Sequence, residues 1–296
     1  MQTLQGKRAL VTGAAKGIGR AIALELARAG AQLTLLDIDE PALAGVVAAA
    51  RALGATATAA RCDIGDRAQI SQAVAAMLRE SPRLDILVNN AGVAYYGPTD
   101  AMTAEQWQWL LAINLHAPIQ FIHELLPVLL AAPESHILNV SSILGLVPSR
   151  KFAAYQVSKF ALAGLSQSLR AEYATRGLGV TVICPGFVQT DLLSTVVRGE
   201  LRQNPETPPA WLCTTPEKVA ARAIRAIRRN QGVVPITPLA HVLWFLQRLS
   251  PRFLGWLAVK RGQLEERNLQ KIPGDAGPTD DSPAEAAAAE STQRVA

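Results

Sequence analysis

The chain has 296 residues, of which 49% are hydrophobic and 18% charged, and its formal net charge is +5. A chain of this size can bury a large core, and an open α/β sheet of this length often forms one domain. The first residues lack the charged start and apolar run of a secretory signal, and no uninterrupted apolar span reaches the ~18 residues of a membrane-spanning helix. We therefore expect a cytoplasmic protein that does not span a membrane.

Neither the cysteines nor the histidines form a pattern that indicates a disulfide framework or a metal site. The cysteines are odd in number, lie far apart and include no Cys-x-x-Cys pair, and the histidines lack ligand spacing. These residues are Cys62, Cys184, Cys213, His116, His123, His136 and His241. We expect reduced, packed thiols and no bound metal.

Apolar runs and helical patterns alternate along the first half of the chain. The first predicted strand, residues 8–12, breaks into a glycine turn that opens a helix ending near Gly30. Strands are predicted at 33–36, 56–62 and 84–89. A helix that ends near residue 53 lies between the first two of these strands, and a helix over 68–78 lies between the last two. This alternation predicts a doubly wound, mostly parallel α/β sheet with helices on both faces.

The second half continues the alternation. A helical region over 103–131 should be broken near Asn114, because Pro118 disfavours helical geometry just before it. Strands at 136–141, 180–184 and 233–237 and helices over 155–175 and 217–229 follow. We expect a first domain over 1–237, a C-terminal helical extension over 238–272, and a disordered tail over 273–296, where Gly, Pro, Asp and Ala dominate.

The turn after the first strand carries glycines in a G-x-x-x-G-x-G spacing, at Gly13, Gly17 and Gly19. Glycines permit a tight turn and close backbone approach, and the helix N-terminus offers free N–H groups and partial positive charge to a pyrophosphate. Between a strand and a helix, this spacing favours dinucleotide binding over a merely flexible turn.

Asp37 ends the second predicted strand. A carboxylate there can accept hydrogen bonds from an adenosine ribose and repels a 2′-phosphate, which favours NAD over NADP. Lys16, inside the glycine turn, would attract that phosphate and leaves NADP open. The structural alternative is that Asp37 caps the following helix.

Ser142, Tyr155 and Lys159 supply a hydroxyl, a phenol and an ammonium group. Tyr155 and Lys159 share a helical face, and Ser142 joins them if it follows a strand. A cation within roughly 4 to 6 Å favours the phenolate and lowers the pKa of the phenol from its usual value of about 10. The set predicts a proton-transfer site at Tyr155, against the alternative of a half-buried tyrosine beside a solvated lysine.

With these motifs in this order, the chain resembles the short-chain dehydrogenase/reductase family over roughly residues 5–237. The segment T-G-A-A-K-G-I-G at 12–19 resembles its glycine turn, N-N-A-G at 89–92 its second motif, and Y-Q-V-S-K at 155–159 its Y-x-x-x-K helix. Ser142 falls where the family keeps its catalytic serine, and P-G-F-V-Q-T at 185–190 resembles the loop after its sixth strand. The resemblance implies a Rossmann-like, single-domain fold.

The resemblance also implies a role for each matching residue. Tyr155 would exchange a proton with the substrate oxygen, and Ser142 would hydrogen-bond that oxygen. Lys159 would bind the nicotinamide ribose and lower the pKa of Tyr155, while Asn114 would hold a water that connects Lys159 to solvent. The implied catalytic set is Asn114, Ser142, Tyr155 and Lys159.

For the cofactor, the resemblance implies an adenine contact at Asp63 and a carboxamide contact at Val188 and Thr190. Asn90 and Gly92 would line the cleft. The full cofactor-binding set is Gly13, Lys16, Gly17, Ile18, Gly19, Asp37, Asp63, Ile64, Asn90, Gly92, Tyr155, Lys159, Pro185, Val188 and Thr190.

Apolar segments surround the predicted site at 93–96, 143–147, 152, 187, 192–193 and 196–197. A pocket lined this way favours a lipophilic alcohol or ketone over a sugar. Steroids, retinoids, long-chain alcohols and acyl thioesters remain open, and ordinary core or lid packing is the structural alternative.

The C-terminal region is both basic and apolar. Lys218, Arg222, Arg225 and Arg229 share one side of the helix over 217–229, and Trp244, Phe245 and Trp256 lie among basic residues farther on. These helices would contact a membrane peripherally or pack on a subunit or pocket. No nucleic-acid-reading motif accompanies the charge, so we expect no nucleic-acid partner.

We therefore predict an NAD-preferring oxidoreductase that interconverts a lipophilic secondary alcohol and its ketone. One alternative is an NADPH-dependent 3-oxoacyl thioester reductase, and another is a regulatory protein that senses NAD(P) without turnover. The helices from Gln106 and Tyr155 resemble those through which the family forms dimers and tetramers, which implies a homo-oligomer.

Overall fold

The computed structural model describes residues 1–189, 197–198, 209 and 212–270, with the backbone alone at 197–198 and 264–270. The predicted tail over 273–296 and Thr190 lie outside the described residues. The chain divides into two compact units, Met1–Ala258 and Val259–Ala296. The predicted boundaries at 237 and 272 stay a prediction.

All the strand pairs in the described chain are parallel. The strands are β1 (Arg8–Thr12), β2 (Gln32–Asp37), β3 (Ala57–Arg61), β4 (Ile86–Asn89), β5 (Tyr95–Tyr96), β6 (Ser135–Val140), β7 (Leu178–Cys184), β8 (Val197–Arg198) and β9 (Val233–Pro235). Seven of them form one sheet in the order β3-β2-β1-β4-β6-β7-β9, with every pair parallel. The short strands β5 and β8, which the sequence patterns did not predict, pair with each other.

Helices connect the strands and extend beyond the last one. They are α1 (Gly17–Arg28), α2 (Glu40–Ala52), α3 (Arg67–Glu80), α4 (Ala104–Leu111), α5 (Ala117–Ala131), α6 (Ala153–Tyr173), α7 (Pro216–Arg228), α8 (Pro238–Leu249) and α9 (Pro251–Gln270). Side-chain caps define several N-termini, since they satisfy backbone N–H groups that have no partner within the helix. The capping residues are Asp39, Asp66, Thr103, Thr215 and Thr237.

The sheet separates two hydrophobic layers. On one face, α1, α2 and α7 pack against strand residues such as Val11 and Leu35, and on the other, α3, α5 and α6 pack against their neighbours Leu10 and Leu36. Alternate strand residues point to opposite faces, which is why adjacent residues join different layers. The predicted doubly wound, Rossmann-like α/β fold is confirmed.

The long helical region changes its form at Asn114. Residues Ala112–His116 form a π-helical segment that joins α4 to α5. Pro118 lies in the first turn of α5, where a missing N–H is tolerated. The α-helix is therefore interrupted at Asn114 as predicted, but the helical path continues through the interruption and only its hydrogen-bond pattern changes.

The helical extension packs its inner side on the turn that follows Ser142. Ile143, Val147 and Ala240 form a buried cluster, against which Leu243 of α8 and Leu254 of α9 pack. This contact places the extension next to a predicted catalytic residue. In the parts of the chain that the structure describes, no helix combines the length and the hydropathy needed to cross a membrane.

His136 in β6 makes the fold sensitive to acid. The side chain is buried beside Thr181, at 2.8 Å from Nε2 to the hydroxyl, and burial lowers its pKa from 6.5 to about 3. Between these values the unfolded chain binds more protons than the folded one, so stability falls as the pH drops through 6.5 towards 3. We expect this residue to remove about 2 kcal/mol from the free energy of unfolding between about pH 8 and about pH 5.

Urea unfolding at both pH values checks this expectation. A His136→Gln variant should have a smaller pH dependence than the wild type, whereas His241→Gln, at an exposed position on α8, should retain the wild-type dependence. Equal pH dependence in the wild type and in His136→Gln would contradict the burial argument.

Candidate active site

The strand order changes direction between β1 and β4, because successive connections lead to β2 on one side and to β6 on the other. Ligands of open α/β sheets bind outside the carboxyl ends of the strands at such a switch point. Thr12 ends β1 and Asn89 ends β4. The crevice between them is therefore the expected place for a nucleotide.

Thr12 and Asn90 join the glycine turn to the segment after β4. The Asn90 side-chain amide donates to the carbonyl oxygens of Thr12 (3.1 Å) and Gly13 (2.9 Å). The Thr12 hydroxyl accepts from the backbone N–H groups of Asn90 (3.1 Å) and Ala91 (3.3 Å). Thr12 was not among the predicted site residues, although it opens the recognised motif.

Two glycines of the glycine turn lie where a side chain would not fit. Gly13 has a φ of +64°, and a Cβ there would lie 2.7 Å from the Cα of Ala91. A Cβ on Gly19 would meet the carbonyl oxygen of Gly13. At the start of α1, Gly17 has a φ of +53°, and Lys16 makes no side-chain capping bond. The first N–H groups of α1, at Gly17, Ile18 and Gly19, have no partner within the helix and fit a pyrophosphate.

Asp37 lies at the end of β2 beside the glycine turn. Its carboxylate accepts from the backbone N–H groups of Ala15 (2.9 Å) and Asp39 (3.1 Å). Asp39 caps α2 by accepting from Ala42, so the alternative that Asp37 is the cap is wrong. Lys16 forms an ion pair with Asp39 at 2.6 Å, which offsets the positive charge expected to attract a 2′-phosphate.

Asp63 follows β3 at the same edge of the sheet, since Arg61 pairs with Asp37 in the β2–β3 register. The Asp63 carboxylate accepts from the backbone N–H of Gly65 at 2.8 Å, and this residue is exposed. Ile64 beside it is buried in the α3–α5 layer. The structure thus places Asp37 and Asp63 together at the expected adenosine end of the crevice.

Ser142, Tyr155 and Lys159 meet at the carboxyl end of β6. Ser142 hydrogen-bonds Tyr155 and also accepts from the backbone N–H of Leu144 at 3.1 Å. The Lys159 ammonium lies 5.5 Å from the centre of the Tyr155 ring and donates to the Val140 carbonyl oxygen at 3.0 Å. The predicted strand end and helix start bring these three side chains together.

Burial controls the protonation of this cluster. It raises the pKa of Tyr155 to about 12, although the Ser142 hydrogen bond lowers it. It also lowers the pKa of Lys159 to about 8. The prediction that Lys159 brings the pKa of Tyr155 down is therefore wrong for these residues by themselves, because desolvation dominates. Additional positive charge near the phenol would lower its pKa.

Asn114 fastens the loop after β4 to α6. Within the π-helical segment, its side chain accepts from the Val93 N–H and donates to the Val93 carbonyl, both at 2.8 Å, and donates to the Ser158 hydroxyl at 3.2 Å. Segments of π-helix frequently lie at functional sites. A Cβ on Gly92 would lie 3.2 Å from Asn114 Oδ1 and 3.3 Å from Lys159 Nζ, so glycine keeps the gap between these groups open.

The loop after β7 reaches the same place. The Pro185 carbonyl oxygen accepts from the backbone N–H of Ile143 at 2.8 Å, which connects this loop to the turn after Ser142. Val188 forms an isolated β-bridge with Thr214. Thr190, predicted to contact the carboxamide, lies outside the described residues.

Aromatic rings form a wall beside Tyr155. The Phe152 ring lies 6.2 Å from that of Tyr155 and 4.9 Å from that of Tyr96. Tyr95, by contrast, is a buried member of the hydrophobic cluster against which Tyr96 and Phe152 pack. Phe187 is exposed, and the predicted lining residues 192, 193 and 196 lie outside the described residues.

Other reactive residues are separated from one another. Cys62 and Cys184 are buried and Cys213 is half-buried, and none of the three forms a disulfide. Over 1–189 and 212–270, no group of His, Cys, Asp and Glu side chains is arranged to hold a metal ion. The prediction of no metal stays a prediction for the whole chain.

Known proteins resemble this chain in sequence and in structure. A family model described as short chain dehydrogenase matches residues 7–201. Oxidoreductase UcpA of Salmonella typhimurium is 36% identical over 225 residues, which cover 76% of this chain and 84% of that protein.

Two solved structures superimpose closely. A short chain dehydrogenase/reductase from Burkholderia phymatum, in complex with NAD, is 27% identical with a TM-score of 0.75, over 94% of this chain and 100% of that chain. A short-chain dehydrogenase from Sphingobium yanoikuyae, in complex with NADPH, is 25% identical with a TM-score of 0.72, over the same 94% and 100%.

Proposed function

The chain belongs to the short-chain dehydrogenase family and is an oxidoreductase, and from this premise we propose that it interconverts a lipophilic secondary alcohol and its ketone. A nicotinamide nucleotide would carry the hydride, and Tyr155 would carry the proton. The observation that supports this reaction best is the meeting of Ser142, Tyr155 and Lys159 at the sheet edge that holds the glycine turn.

The crevice fits a nicotinamide dinucleotide, because the glycine turn leads directly into α1, whose first N–H groups have no partner within the helix and can bind a pyrophosphate. The NAD and NADPH complexes of the two solved relatives support the same cofactor class. The bound nucleotide supplies or accepts the hydride. The residues proposed to hold it are Gly13, Gly17, Ile18, Gly19, Asp37, Asp63, Ile64, Asn90, Gly92, Pro185, Val188 and Thr190, together with Tyr155 and Lys159.

Tyr155 manages one proton in either direction. With a pKa of about 12, the phenol is protonated at neutral pH and is ready to donate to a ketone oxygen. Oxidation of an alcohol needs the phenolate, which would form if the positive charge of the oxidised nicotinamide lowered the pKa of Tyr155. Ser142 would hydrogen-bond the substrate oxygen and hold it near the phenol.

Asn114 and Lys159 would replace the proton that Tyr155 loses. Asn114 is buried and anchored to Val93, and its Oδ1 and the Lys159 ammonium line the gap kept open by Gly92. A water in this gap would connect Lys159 to solvent. A pKa of about 8 lets Lys159 gain and lose a proton near neutral pH.

We propose a preference for NAD over NADP. The Asp37 carboxylate lies beside the glycine turn, where a ribose 2′-phosphate would bring like charge close to it. Lys16 would favour NADP, but its ion pair with Asp39 offsets that attraction.

The proposed substrate is lipophilic because the wall next to Tyr155 is aromatic and aliphatic. Tyr96, Phe152 and Leu144 belong to, or pack against, the same cluster as Tyr155. Such a surface has few polar groups to hold the hydroxyls of a sugar. A long-chain or polycyclic alcohol would fill it.

We also propose a cytoplasmic homo-oligomer. Exposed apolar side chains on α4, α5 and α6 would be covered by a second copy, namely Trp109, Ile119, Val157 and Phe160.

A panel of substrates tests the proposed reaction, with absorbance of the reduced nucleotide as the measurement. We expect kcat/KM for a series of 2-alkanols and methyl ketones to rise about three- to fourfold per added methylene until the pocket is filled. A sugar alcohol serves as the polar control and should react slowly. Fastest turnover with a 3-oxoacyl thioester and NADPH would favour the thioester reductase instead.

The regulatory alternative predicts a different result in the same panel. A protein that only senses NAD(P) would bind the nucleotide without turning over any substrate. Nucleotide binding does not need the hydrogen bond between Ser142 and Tyr155, so this contact favours the enzyme. Tight nucleotide binding with no turnover across the whole panel would favour the sensor.

A further inference from the structure

The outer sides of α8 and of the first turns of α9 carry large apolar side chains. On α8, Val242, Phe245 and Leu249 recur at helical spacing and are 55%, 63% and 71% exposed. On α9, Phe253, Trp256 and Leu257 are 47%, 52% and 41% exposed, and the Phe253 and Trp256 rings stack at 6.2 Å. We call these six side chains the C-terminal apolar face.

The residues of this face are not those that attach the two helices to the hydrophobic core. Both helices already turn an apolar inner side to the cluster around Ile143 and Val147, through Leu243 and Leu254. Their outer sides therefore point away from the rest of the packed protein. Six large apolar side chains exposed on two consecutive helices indicate a site of interaction rather than scattered surface residues.

The charges around the face have one sign. Arg248 lies on α8 with its guanidinium 5.3 Å from the centre of the Trp244 ring, and Arg252 lies at the start of α9. No aspartate or glutamate occurs over residues 238–264, and Lys260 and Arg261 follow in the sequence of α9. Apolar and aromatic side chains among cations, without acids, are the pattern of helices that lie in the interface of an anionic bilayer.

Two other occupants fit this pattern less well. A symmetric contact between two copies through this face would place the cations of one copy among those of the other, with no carboxylate in residues 238–264 to offset them. Residues 271–296 carry acids, but Ile272 and Val295 are the large apolar side chains among them, which is too little to cover the face.

We propose that the C-terminal apolar face binds the surface of an anionic phospholipid bilayer, with Phe245 and Trp256 inserted at the level of the headgroups and Arg248 and Arg252 on the lipid phosphates. The helices would lie along the surface without crossing it. The proposal depends on the exposed side chains and their charge, and it stands whatever substrate the active site accepts.

Sedimentation with vesicles tests the proposal on the full-length wild-type protein. We expect binding to vesicles of phosphatidylcholine mixed with phosphatidylglycerol, weaker binding when salt is raised, and weaker binding to phosphatidylcholine alone. Absence of sedimentation with the mixed vesicles at low salt would overturn the proposal without any variant.

Variants separate the apolar and the charged contributions. Phe245→Gln combined with Trp256→Gln should lower the partition coefficient about 10-fold or more on both kinds of vesicle. Arg248→Gln combined with Arg252→Gln should lower it about 10-fold on the mixed vesicles and change it little on phosphatidylcholine. Leu53→Gln, an exposed leucine after α2, is the matched control and should bind like the wild type.

Sedimentation velocity without lipid tests whether the C-terminal apolar face binds a second copy of the chain instead. If Phe245→Gln with Trp256→Gln dissociates an oligomer while vesicle binding is unchanged, the face joins copies of the chain and the bilayer proposal is wrong. An unchanged oligomeric state with reduced vesicle binding supports it. The unfolding temperature of each variant should stay near that of the wild type, because the replaced side chains are exposed.

Discussion

A Tyr155→Phe variant is expected to lose about 10²- to 10⁴-fold in kcat, the range contributed by a positioned acid or base. With a pKa of about 12 the phenol carries its proton at neutral pH, and Lys159, with a pKa of about 8, is mostly protonated too and can replace the proton that the phenol delivers. Phenylalanine keeps the ring that packs against Phe152 and removes the oxygen that bonds Ser142. Steady-state kinetics with the best substrate of the panel measures the loss.

Nucleotide binding distinguishes a lost proton donor from a damaged site. Titration of nucleotide fluorescence should give the same Kd for Tyr155→Phe and the wild type within about twofold, because the glycine turn is unchanged. Tyr173→Phe, at the other end of α6, is the matched control and should keep wild-type kcat. Wild-type turnover by Tyr155→Phe would remove Tyr155 from the mechanism.

An Asp37→Ser variant is expected to shift the ratio of kcat/KM for NAD and NADP by about 10²-fold towards NADP, because like charges placed together cost several kcal/mol. The serine hydroxyl can still accept one of the backbone hydrogen bonds that Asp37 now accepts from Ala15 and Asp39. Parallel kinetics with the two nucleotides measures the ratio.

The ion pair between Lys16 and Asp39 is expected to affect the preference between NAD and NADP as well, by a smaller factor. Asp39→Asn keeps an oxygen to cap α2 and removes the negative charge paired with Lys16, so NADP use should rise about 10-fold. Glu80→Gln, at the far end of α3, controls for the change in net charge and should leave the ratio unchanged. A wild type that prefers NADP would show that Asp37 does not repel the phosphate.

The regular elements of the fold could be predicted because each carries its own pattern. β1 has the predicted bounds, and the βα alternation was enough to predict a parallel sheet between two layers of helices. The π-helical segment at Ala112–His116 and the pair of short strands β5 and β8 could not be predicted, since both depend on contacts with distant residues. Pro118 indicated an irregularity but not its form.

The candidate site was predictable where a motif names its residues. Ser142, Tyr155 and Lys159 lie together as expected, whereas the partners that hold them do not appear in any local pattern. The Val140 carbonyl that binds Lys159 is one example. The pKa of Tyr155 was mispredicted because sequence spacing describes neighbouring charge and not depth of burial.

The packing of α8 on the turn after Ser142 limits how the enzyme can be rebuilt. Ile143 and Val147 pack with Ala240, Leu243 and Leu254, so the side chains of the extension and of this turn depend on each other for their packing. A chimaera that exchanges residues from 238 onward with those of another family member would have to exchange 143–147 as well. The C-terminal helices therefore cannot be exchanged independently of this turn, because exchanging them alone would disturb the position of the Ser142 hydroxyl.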